Sequence, residues 1–407
     1  MQTSATRYDA LVIGAGPAGA TAALMLARAG WSVALVERSP FPRRKVCGEF
    51  LSATSFPLLF ELGVAEAFLS RAGPEIRRVG LFAAEHALSA PMPKVSGGFG
   101  AFGRALGREH LDLLLLHAAG RAGAKIWQPY TVIALEQEAG GWVCRLSGKG
   151  ASEEIRTRIV IAAHGSWERG ALGLPRRNHD PADLLGFKAH FFDCALEPDL
   201  MPLLLFPGGY GGMVRSDSGR VSLSCCVRRD VLEACRRKAP AQHAGDAVFQ
   251  HIRASCASVR DITTRARLSD AWLSAGPIRP GIRASFEGRL FRVGNIAGEA
   301  HPIIAEGISM AMQSAGLLCR ALIAAEDDIA DDATLASIGR VQDARWRARF
   351  GLRIHAAEAL AQLALRRGTA GLLVQPVRMF PALLTWGAAL AGKTAMVQPQ
   401  VSAAGNL

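Results

Sequence analysis

The hydrophobic positions at the start of the chain predict a strand, a glycine turn, a helix and a second strand. Residues 8–13 are mostly aliphatic, which is typical of a strand buried on both faces. The turn GAGPAG follows, and an apolar helix then extends to Gly30. Residues 32–36 repeat the buried-strand pattern. This alternation of strand and helix indicates an α/β fold.

A similar pattern of strand, loop and helix returns about 280 residues later. Residues 290–293 are predicted to be extended, the loop GNIAGEAHP begins at Gly294, and residues 308–323 have the apolar spacing of a buried helix. Two interpretations are open. Either the two loops hold the ends of one long ligand, or the second loop is an ordinary turn before a helix.

The pattern between and beyond these loops predicts two further regions. Three extended runs, LLGFKAHFFDC, MPLLLFPGGYGGMVRSD and GRVSLSCCVRR, predict an antiparallel sheet that covers the ligand with one face. Residues 243–260 are predicted to be helical. After residue 326 the apolar spacing is also helical, with an apolar stripe that contains Trp346 and an arginine every four residues at 345, 349 and 353.

We therefore predict three structural regions and a tail. The nucleotide-binding domain is discontinuous and comprises residues 1–78, 100–180 and 280–325. A substrate domain with the antiparallel sheet comprises residues 79–99 and 181–279. A helical C-terminal region follows over residues 326–393, and residues 394–407 are predicted to be a disordered tail.

Composition and charge narrow the function classes. The net charge of +12 should attract anions, such as a phosphorylated cofactor, anionic lipid or an acidic carrier protein. The basic residues are spread along the chain, which argues against nucleic acid as a partner. No C-x-x-C pair and no metal-type histidine spacing occurs, so we expect reduced thiols, a cytoplasmic protein and no metal site. No apolar run reaches the roughly 18 residues of a membrane span.

The first loop has the chemistry of a dinucleotide site. Gly14 permits the turn, Gly16 lets the backbone approach a pyrophosphate, and Gly19 lets the helix pack against the strand. The start of the helix then presents free N–H groups to the diphosphate. Glu37 ends the second strand, where its carboxylate can accept hydrogen bonds from both ribose hydroxyls and would repel a 2′-phosphate. This loop alone does not separate NAD from FAD.

The second loop favours a flavin. Pro302 interrupts regular structure before the helix, and Glu306 and Gly307 lie at the helix start. The positive dipole end of this helix would stabilise the negative charge of a reduced flavin. Here the sequence resembles flavoproteins of the p-hydroxybenzoate hydroxylase fold, which include aromatic monooxygenases, halogenases and geranylgeranyl reductases. The helix GREHLDLLLLHAAGRAGAKIW, the segment RIVIAAHGSW, the loop GNIAGEAHP and the loop RRKVCGEFLS are each similar to a motif of that group.

The resemblance implies the fold class and the cofactor. We expect an α/β protein with a Rossmann-like FAD-binding domain, an inserted antiparallel-sheet substrate domain and a helical C-terminal region. FAD is the expected cofactor, and NAD(P)H or a reductase partner is the expected electron donor. The FAD contacts expected from the two loops and the resemblance are Gly14, Gly16, Pro17, Ala18, Gly19, Glu37, Arg38, Arg44, Lys45, Cys47, Gly48, Arg108, Val132, His164, Gly165, Asn295, Pro302, Glu306, Gly307 and Ile308.

Two departures from the family pattern bear on function. Asn295 stands where the family usually has an aspartate that bonds a ribitol hydroxyl, although its amide oxygen can still accept that bond. His164 replaces the aspartate of the Asp-Gly motif, which puts direct use of a nicotinamide cofactor in doubt. The tryptophan-rich signature of halogenases is missing and no halogenase-type lysine is assigned, which argues against halogenation.

The expected function is an FAD-dependent monooxygenase that hydroxylates a lipophilic, phenolic or polyketide-derived molecule through a C4a-hydroperoxyflavin. The first alternative is a reductase or dehydrogenase acting on carbon–carbon bonds of a prenyl or acyl chain, which the KVCGEFLS loop favours. A second alternative is a non-catalytic flavin-binding docking protein. The arginine-rich face of the C-terminal helix is either solvated or a docking face for a membrane surface or an acyl-carrier protein.

Three residues are candidates for catalysis. Glu49 is a candidate base if burial raises its pKa, and otherwise a surface carboxylate beside Cys47, which is then a small core residue. His301 either faces the reactive edge of the flavin or stabilises its loop. Tyr210 either donates a hydrogen bond to the substrate or is a packed aromatic residue between glycines.

Overall fold

The computed structural model describes residues 6–167, 178–366 and 370–394. Within these residues the strands are β1 (Thr6–Ile13), β2 (Val33–Val36), β3 (Phe50–Leu51), β4 (Arg78–Ala83), β5 (His86–Pro91), β6 (Arg104–Ala105), β7 (Lys125–Trp127), β8 (Thr131–Glu138), β9 (Gly141–Gly148), β10 (Ala151–Ala162), β11 (Leu184–Phe192), β12 (Leu200–Phe206), β13 (Gly209–Arg215), β14 (Val221–Arg228), β15 (Arg267–Leu268), β16 (Leu273–Ala275), β17 (Gly281–Ile282), β18 (Phe286–Glu287), β19 (Leu290–Arg292) and β20 (Gly298–Glu299). The α-helices are α1 (Pro17–Arg28), α2 (Phe56–Glu61), α3 (Ala65–Leu69), α4 (Arg108–Arg121), α5 (Arg229–Lys238), α6 (Ala244–Ser255), α7 (Ala257–Ile262), α8 (Gly307–Ile323), α9 (Asp332–Leu365), α10 (Ala370–Met379) and α11 (Ala382–Ala388). Short 3₁₀ turns lie at Ala53–Ser55, Asp217–Gly219, Gly294–Ile296, Pro302–Ile304 and Glu326–Asp328, and a π-helical turn at Ala389–Lys393.

The first sheet is built on five parallel strands in the order β7, β2, β1, β10 and β19. Strand β18 pairs antiparallel with β19 at one edge. The first half of β10, residues 151–157, pairs antiparallel with β9, which in turn pairs with β8. The central strands are buried on both faces, which explains their uninterrupted aliphatic sequences. Helices α1, α4 and α8 share one hydrophobic core on one face of this sheet.

The register of this sheet brings the two glycine loops together. Ile13, the last residue of β1, pairs with Ala162 of β10, and Ala162 pairs with Arg292 of β19. Because these strands are parallel, the loops that follow β1, β10 and β19 all lie at the carboxyl ends of the strands. Open α/β sheets bind their ligands at these carboxyl ends.

The second sheet has the order β15, β11, β14, β13, β12, β4 and β5, and β16 also pairs with β11. Neighbouring strands are antiparallel except for the parallel pair β4 and β12. Its hydrophobic side packs against α6 and α7, so the predicted helical segment 243–260 is present with a break at Cys256. Its other side faces α9 and the second glycine loop. The predicted fold class is confirmed.

Helix α9 buries the predicted apolar stripe, with Trp346 and Phe350 fully inside. The predicted arginine face is only partly solvated, since Arg353 is buried and stacks on the Phe350 ring at 5.9 Å. No helix in the described ranges is both long and apolar enough to cross a membrane. The predicted domain boundaries stay a prediction, and nearly all of the predicted tail, 394–407, lies outside the described residues.

Candidate active site

Three glycines of the first loop are required for three different reasons. Gly14 has φ +98°, and a Cβ there would lie 2.7 Å from the His164 Cα. At Gly19 a Cβ would lie 1.8 Å from the Gly14 carbonyl oxygen, so only glycine lets α1 pack on the turn. A Cβ at Gly16 would meet only the Arg108 side chain, at 3.6 Å. Gly16 therefore leaves space for a ligand at the amino end of α1.

Glu37 is buried at the end of β2 and points back to the first loop. Its Oε2 accepts hydrogen bonds from the Ala15 N–H at 2.9 Å and from the Arg43 guanidinium at 3.1 Å. Its Oε1 accepts from the Ser39 N–H at 2.9 Å. The carboxylate is thus held at the cavity wall in one orientation, and its predicted contact with a ribose stays a prediction.

A cluster of cations surrounds this end of the cavity. Arg38, Arg43, Lys45 and Arg108 all line it. Burial, followed by the charges of Arg43 and Arg108, lowers the pKa of Lys45 to about 8. The Arg108 guanidinium is fixed by Asp112, with Nε 2.7 Å from Oδ1. A bound diphosphate would offset this repulsion, so the residues present fit the diphosphate of FAD.

The second loop contacts the first. A Cβ at Gly294 would lie 3.1 Å from the Ala18 Cβ, and the Gly294 N–H donates to the Ser314 hydroxyl at 2.9 Å. Gly307 and Ile308, at the amino end of α8, line the same cavity as Gly16. This geometry favours the interpretation in which both loops hold one long ligand.

Two polar side chains at the junction depart from the family motif. The Asn295 side-chain amide donates to Glu299 Oε1 at 3.2 Å, which leaves its oxygen as the atom that can accept from a ribitol hydroxyl. Burial raises the pKa of Glu299. Burial lowers the pKa of His164 to about 4, so this imidazole is uncharged at neutral pH. Asn295 and His164 therefore both lack the negative charge that an aspartate of the family motif would have at these positions.

The cavity shared by both loops has a volume of about 640 Å³, within the usual range of ligand pockets. Of the residues predicted to contact FAD or to act in catalysis, it is lined by Gly14, Gly16, Pro17, Ala18, Glu37, Arg38, Lys45, Cys47, Gly48, Glu49, Arg108, His164, Gly165, Tyr210, Asn295, His301, Pro302, Gly307 and Ile308. Four others do not line it. Gly19 packs inside the turn, Arg44 donates to the Ala271 carbonyl, Val132 lies in β8 of the first sheet, and Glu306 is buried against Lys393.

The part of the cavity beyond the glycine loops is mainly apolar. It is bounded by β4, β12 and β13 of the second sheet and by α9, α10 and α11. A polar pair also faces this part of the cavity. Tyr210 and His301 both line it, and the Tyr210 hydroxyl lies 3.2 Å from His301 Nδ1. Burial raises the pKa of Tyr210 and lowers that of His301, so both groups are uncharged at neutral pH. The structure thus brings together two of the three residues predicted to be catalytic.

Glu49, the third, differs from the prediction. Burial alone would raise the pKa of Glu49. However, Glu49 forms an ion pair with the Lys188 ammonium, and this cation together with His190 lowers the pKa well below the usual range. His190 Nε2 lies 2.8 Å from Glu49 Oε2. The condition for a base, a raised pKa, is not met, because the carboxylate is paired on both oxygens. Glu49 instead joins the loop at Cys47 to β11.

Sequence reasoning missed Lys188, His190 and Lys393. Lys188 and His190 are two residues apart in β11 and are both fully buried, so their side chains leave the same face of the sheet. A lysine and a histidine alternating with Phe187, Ala189 and Phe191 in an otherwise apolar strand were the available signal. Lys393 had no such signal, since it lies in a C-terminal segment that reaches Glu306 only through the fold.

The sequence matches a known family over most of its length. The FAD binding domain family matches residues 7–347. A menaquinone reductase of Mycolicibacterium smegmatis is 35% identical over 138 residues, which are 34% of this chain and 33% of that protein. The chain thus spans about a third of the length of this relative.

The fold is similar to solved flavoprotein structures. The myxobacterial chondrochloren halogenase CndH has a TM-score of 0.77 at 18% identity, covering 95% of this chain and 91% of that one. PqsL of Pseudomonas aeruginosa, named a probable FAD-dependent monooxygenase, has a TM-score of 0.69 at 19% identity, covering 90% and 100%. At these identities the likeness shows the fold alone. The matches confirm the predicted resemblance, fold class and FAD cofactor.

Proposed function

The chain belongs to the FAD binding domain family and is an FAD-dependent oxidoreductase of the p-hydroxybenzoate hydroxylase-fold group, and we propose that it is a monooxygenase. Its proposed substrate is a lipophilic, phenolic or polyketide-derived small molecule. The observation that carries this proposal is the apolar chamber that continues the cavity of the two glycine loops and contains the Tyr210–His301 pair.

The apolar wall provides the dry environment that hydroxylation needs. Bound flavin supplies the activation of oxygen once it has been reduced. Leu81, Leu205 and Trp346 belong to the chamber wall and to one hydrophobic cluster, so a ligand there displaces water from apolar surface. Exclusion of water limits the side reaction in which activated oxygen is lost as hydrogen peroxide before it reaches the substrate.

The Tyr210–His301 pair provides the polar recognition. A phenol in the chamber can hydrogen-bond to the Tyr210 hydroxyl, which lies in reach of His301. Because His301 is uncharged, it can accept a proton that passes from the phenol through Tyr210. Loss of that proton makes the aromatic ring more electron-rich and therefore more reactive toward an electrophilic oxygen.

The alternative function is a reductase of carbon–carbon bonds. It is supported by Cys47, which lines the cavity and whose Sγ accepts a hydrogen bond from the Glu49 N–H at 3.4 Å. The relative from Mycolicibacterium smegmatis is named a menaquinone reductase, and the apolar chamber would also accept a prenyl chain. In this function Cys47, rather than the Tyr210–His301 pair, would face the reacting bond.

Isotope incorporation separates these two functions. FAD-loaded protein is photoreduced without oxygen and then mixed with ¹⁸O₂ and one of three test compounds: 2-naphthol, an alkylresorcinol or a prenylated naphthoquinone. The masses of the products are measured by mass spectrometry. We expect one ¹⁸O atom in a phenolic product, with Tyr210→Phe and His301→Ala lowering the yield and raising hydrogen peroxide release. Cys47→Ala should still form the ¹⁸O-labelled product, with the yield measured per bound FAD. A product that gains two hydrogens on a carbon–carbon double bond of the prenyl chain and no oxygen, and that is lost with Cys47→Ala, would establish the reductase instead.

A further inference from the structure

The segment from the end of α10 through α11 to the π-helical turn exposes large apolar side chains to solvent. Met379 is 70% exposed, Phe380 63%, Leu383 40%, Trp386 69% and Leu390 68%. We refer to these five residues as the outer apolar face. Large apolar residues clustered on one surface, rather than scattered singly, mark an interaction site.

The outer apolar face lies on the wall of the cavity itself. Leu384, Ala388 and Ala391, from the same short segment, line the chamber from inside. Leu383 is exposed and also lines the chamber. The wall at this place is therefore one helix thick, and its two sides are both apolar.

The segment is fixed to the body of the protein, so the face is held in place. The Thr385 hydroxyl donates to the Pro91 carbonyl at 2.7 Å, and Lys393 donates to the Ile304 carbonyl at 3.0 Å. Helix α11 also contacts β4 and β5. A rigid platform with exposed aromatic residues resembles the interfacial helices that lie on membranes.

The charge around the outer apolar face suits an anionic surface. No Asp or Glu occurs in the sequence after Glu358, whereas Arg366, Arg367 and Arg378 do. Lys393 is also basic, but it is buried against Glu306 and adds no charge to this surface. Arg378 is exposed and directly precedes Met379. Aromatic and aliphatic side chains beside an exposed arginine, in a segment that itself carries no carboxylate, match a bilayer with anionic headgroups better than a basic or neutral partner surface.

We propose that the outer apolar face docks the protein on a bilayer that contains anionic lipid. Docking places the thin α11 wall against the hydrocarbon boundary, where a lipophilic substrate can pass into the chamber. That passage rests on the proposed function, whereas docking does not.

Vesicle binding tests the proposal with the FAD-loaded full chain. All seven tryptophans lie in described ranges, and Trp386 is the most exposed of them, so it reports on insertion. We expect co-sedimentation with phosphatidylcholine vesicles containing phosphatidylglycerol, weaker binding without phosphatidylglycerol or at high salt, a blue shift of tryptophan emission, and quenching by brominated lipid. The triple variant Phe380→Ser, Trp386→Ser, Leu390→Ser should lose at least about tenfold in vesicle affinity, since each side chain contributes burial energy.

A matched control removes exposed apolar residues elsewhere. Ile133→Ser with Leu268→Ser, both on sheet strands, should bind vesicles like the wild type. FAD content and turnover of a detergent-dispersed probe should be unchanged in the triple variant, which separates failure of docking from failure of the proposed function.

Several outcomes would overturn the proposal. These are wild-type protein that stays in the supernatant with both vesicle types, or a triple variant that binds as well as the wild type. A wild-type dimer that the triple variant converts to monomer, without vesicle binding, would assign the face to a second copy. Binding of holo-acyl-carrier protein instead of vesicles would assign it to a carrier. Vesicle binding only after deletion of residues 395–407 would assign it to the tail.

Discussion

Lys393 Nζ lies 2.8 Å from Glu306 Oε1, and both side chains are buried. The ion pair connects the end of the C-terminal helical region to the residue that precedes α8, whose amino end lines the cavity. Lys393 thereby offsets a carboxylate at a helix start where a negative charge from a reduced flavin is also expected.

Removing Lys393 should destabilise the protein and weaken FAD binding. In Lys393→Met the Glu306 carboxylate stays buried without its cation, which costs about 3–5 kcal/mol in the free energy of unfolding. Denaturant unfolding and fluorescence titration with FAD measure the two effects. The double variant Glu306→Gln, Lys393→Met should recover most of the stability, since no unpaired charge remains. Equal stability of the single and double variants would contradict a role for the pair.

Two neighbouring glycines should respond differently to the same substitution. Gly19→Ala places a Cβ on the Gly14 carbonyl oxygen, so we expect a loss of more than about 4 kcal/mol or failure to fold. Gly16 has φ −70°, which alanine adopts freely, and its Cβ has room. Gly16→Ala should keep its stability in the absence of FAD within about 1 kcal/mol. Its FAD affinity should fall, because the methyl group occupies the space of the diphosphate.

Denaturation of protein freed of FAD, followed by FAD titration, separates the two variants. If Gly16→Ala binds FAD like the wild type, the diphosphate does not lie at this turn. If Gly19→Ala folds normally, α1 is not packed on the turn as described.

The sequence predicted those parts of the site that depend on local pattern. The glycine spacing at 14, 16 and 19 and the carboxylate at Glu37 follow from one strand–helix–strand unit, whose geometry needs no distant partner. The meeting of the loops near Gly14 and Gly294 was predicted from the similarity of two patterns and from the family resemblance.

Side-chain partners that are distant in sequence could not be predicted. Lys188 is 139 positions from Glu49, and Lys393 is 87 positions from Glu306. The direction of a pKa shift depends on such partners, because burial and a nearby cation act in opposite senses on a carboxylate. For this reason the base hypothesis for Glu49 rested on burial alone, and Arg44 was assigned to FAD although it pairs with Asp270 at 3.7 Å.

Glu49 should make stability depend on pH in the acidic range. Its pKa in the folded protein lies below the unfolded value of roughly 4.3. Below about pH 5 the unfolded chain therefore binds a proton that the folded protein does not, and the free energy of unfolding decreases as the pH is lowered. The difference in unfolding free energy between wild type and Glu49→Gln should shrink as pH is lowered from about 5 to 3. Urea unfolding at several pH values measures it.

Lys188→Met provides the control for this dependence. Without the ammonium, burial is opposed by His190 and by the weaker hydrogen bond from the Arg108 N–H, so the pKa of Glu49 should rise and the loss of stability with falling pH should weaken. An unchanged pH dependence in both variants would show that Glu49 is not ionised by its pairing with Lys188.

Free NADH and NADPH should reduce the bound flavin slowly. His164 lines the cavity beside the first loop, and its pKa of about 4 keeps it uncharged from pH 6 to 8. An uncharged imidazole has one acceptor nitrogen where the family aspartate offers two charged oxygens, so a nicotinamide nucleotide loses hydrogen-bond partners. His164→Asp should speed anaerobic reduction by about tenfold, which corresponds to about 1.4 kcal/mol in activation free energy. His164→Asn, which restores no charge, should not, and photoreduction should be equal in all three proteins. Stopped-flow absorbance of the flavin band gives the rates, which should show no inflection between pH 6 and 8 from this residue. Rapid reduction of the wild type without substrate would mean that the histidine does not limit the use of free NAD(P)H.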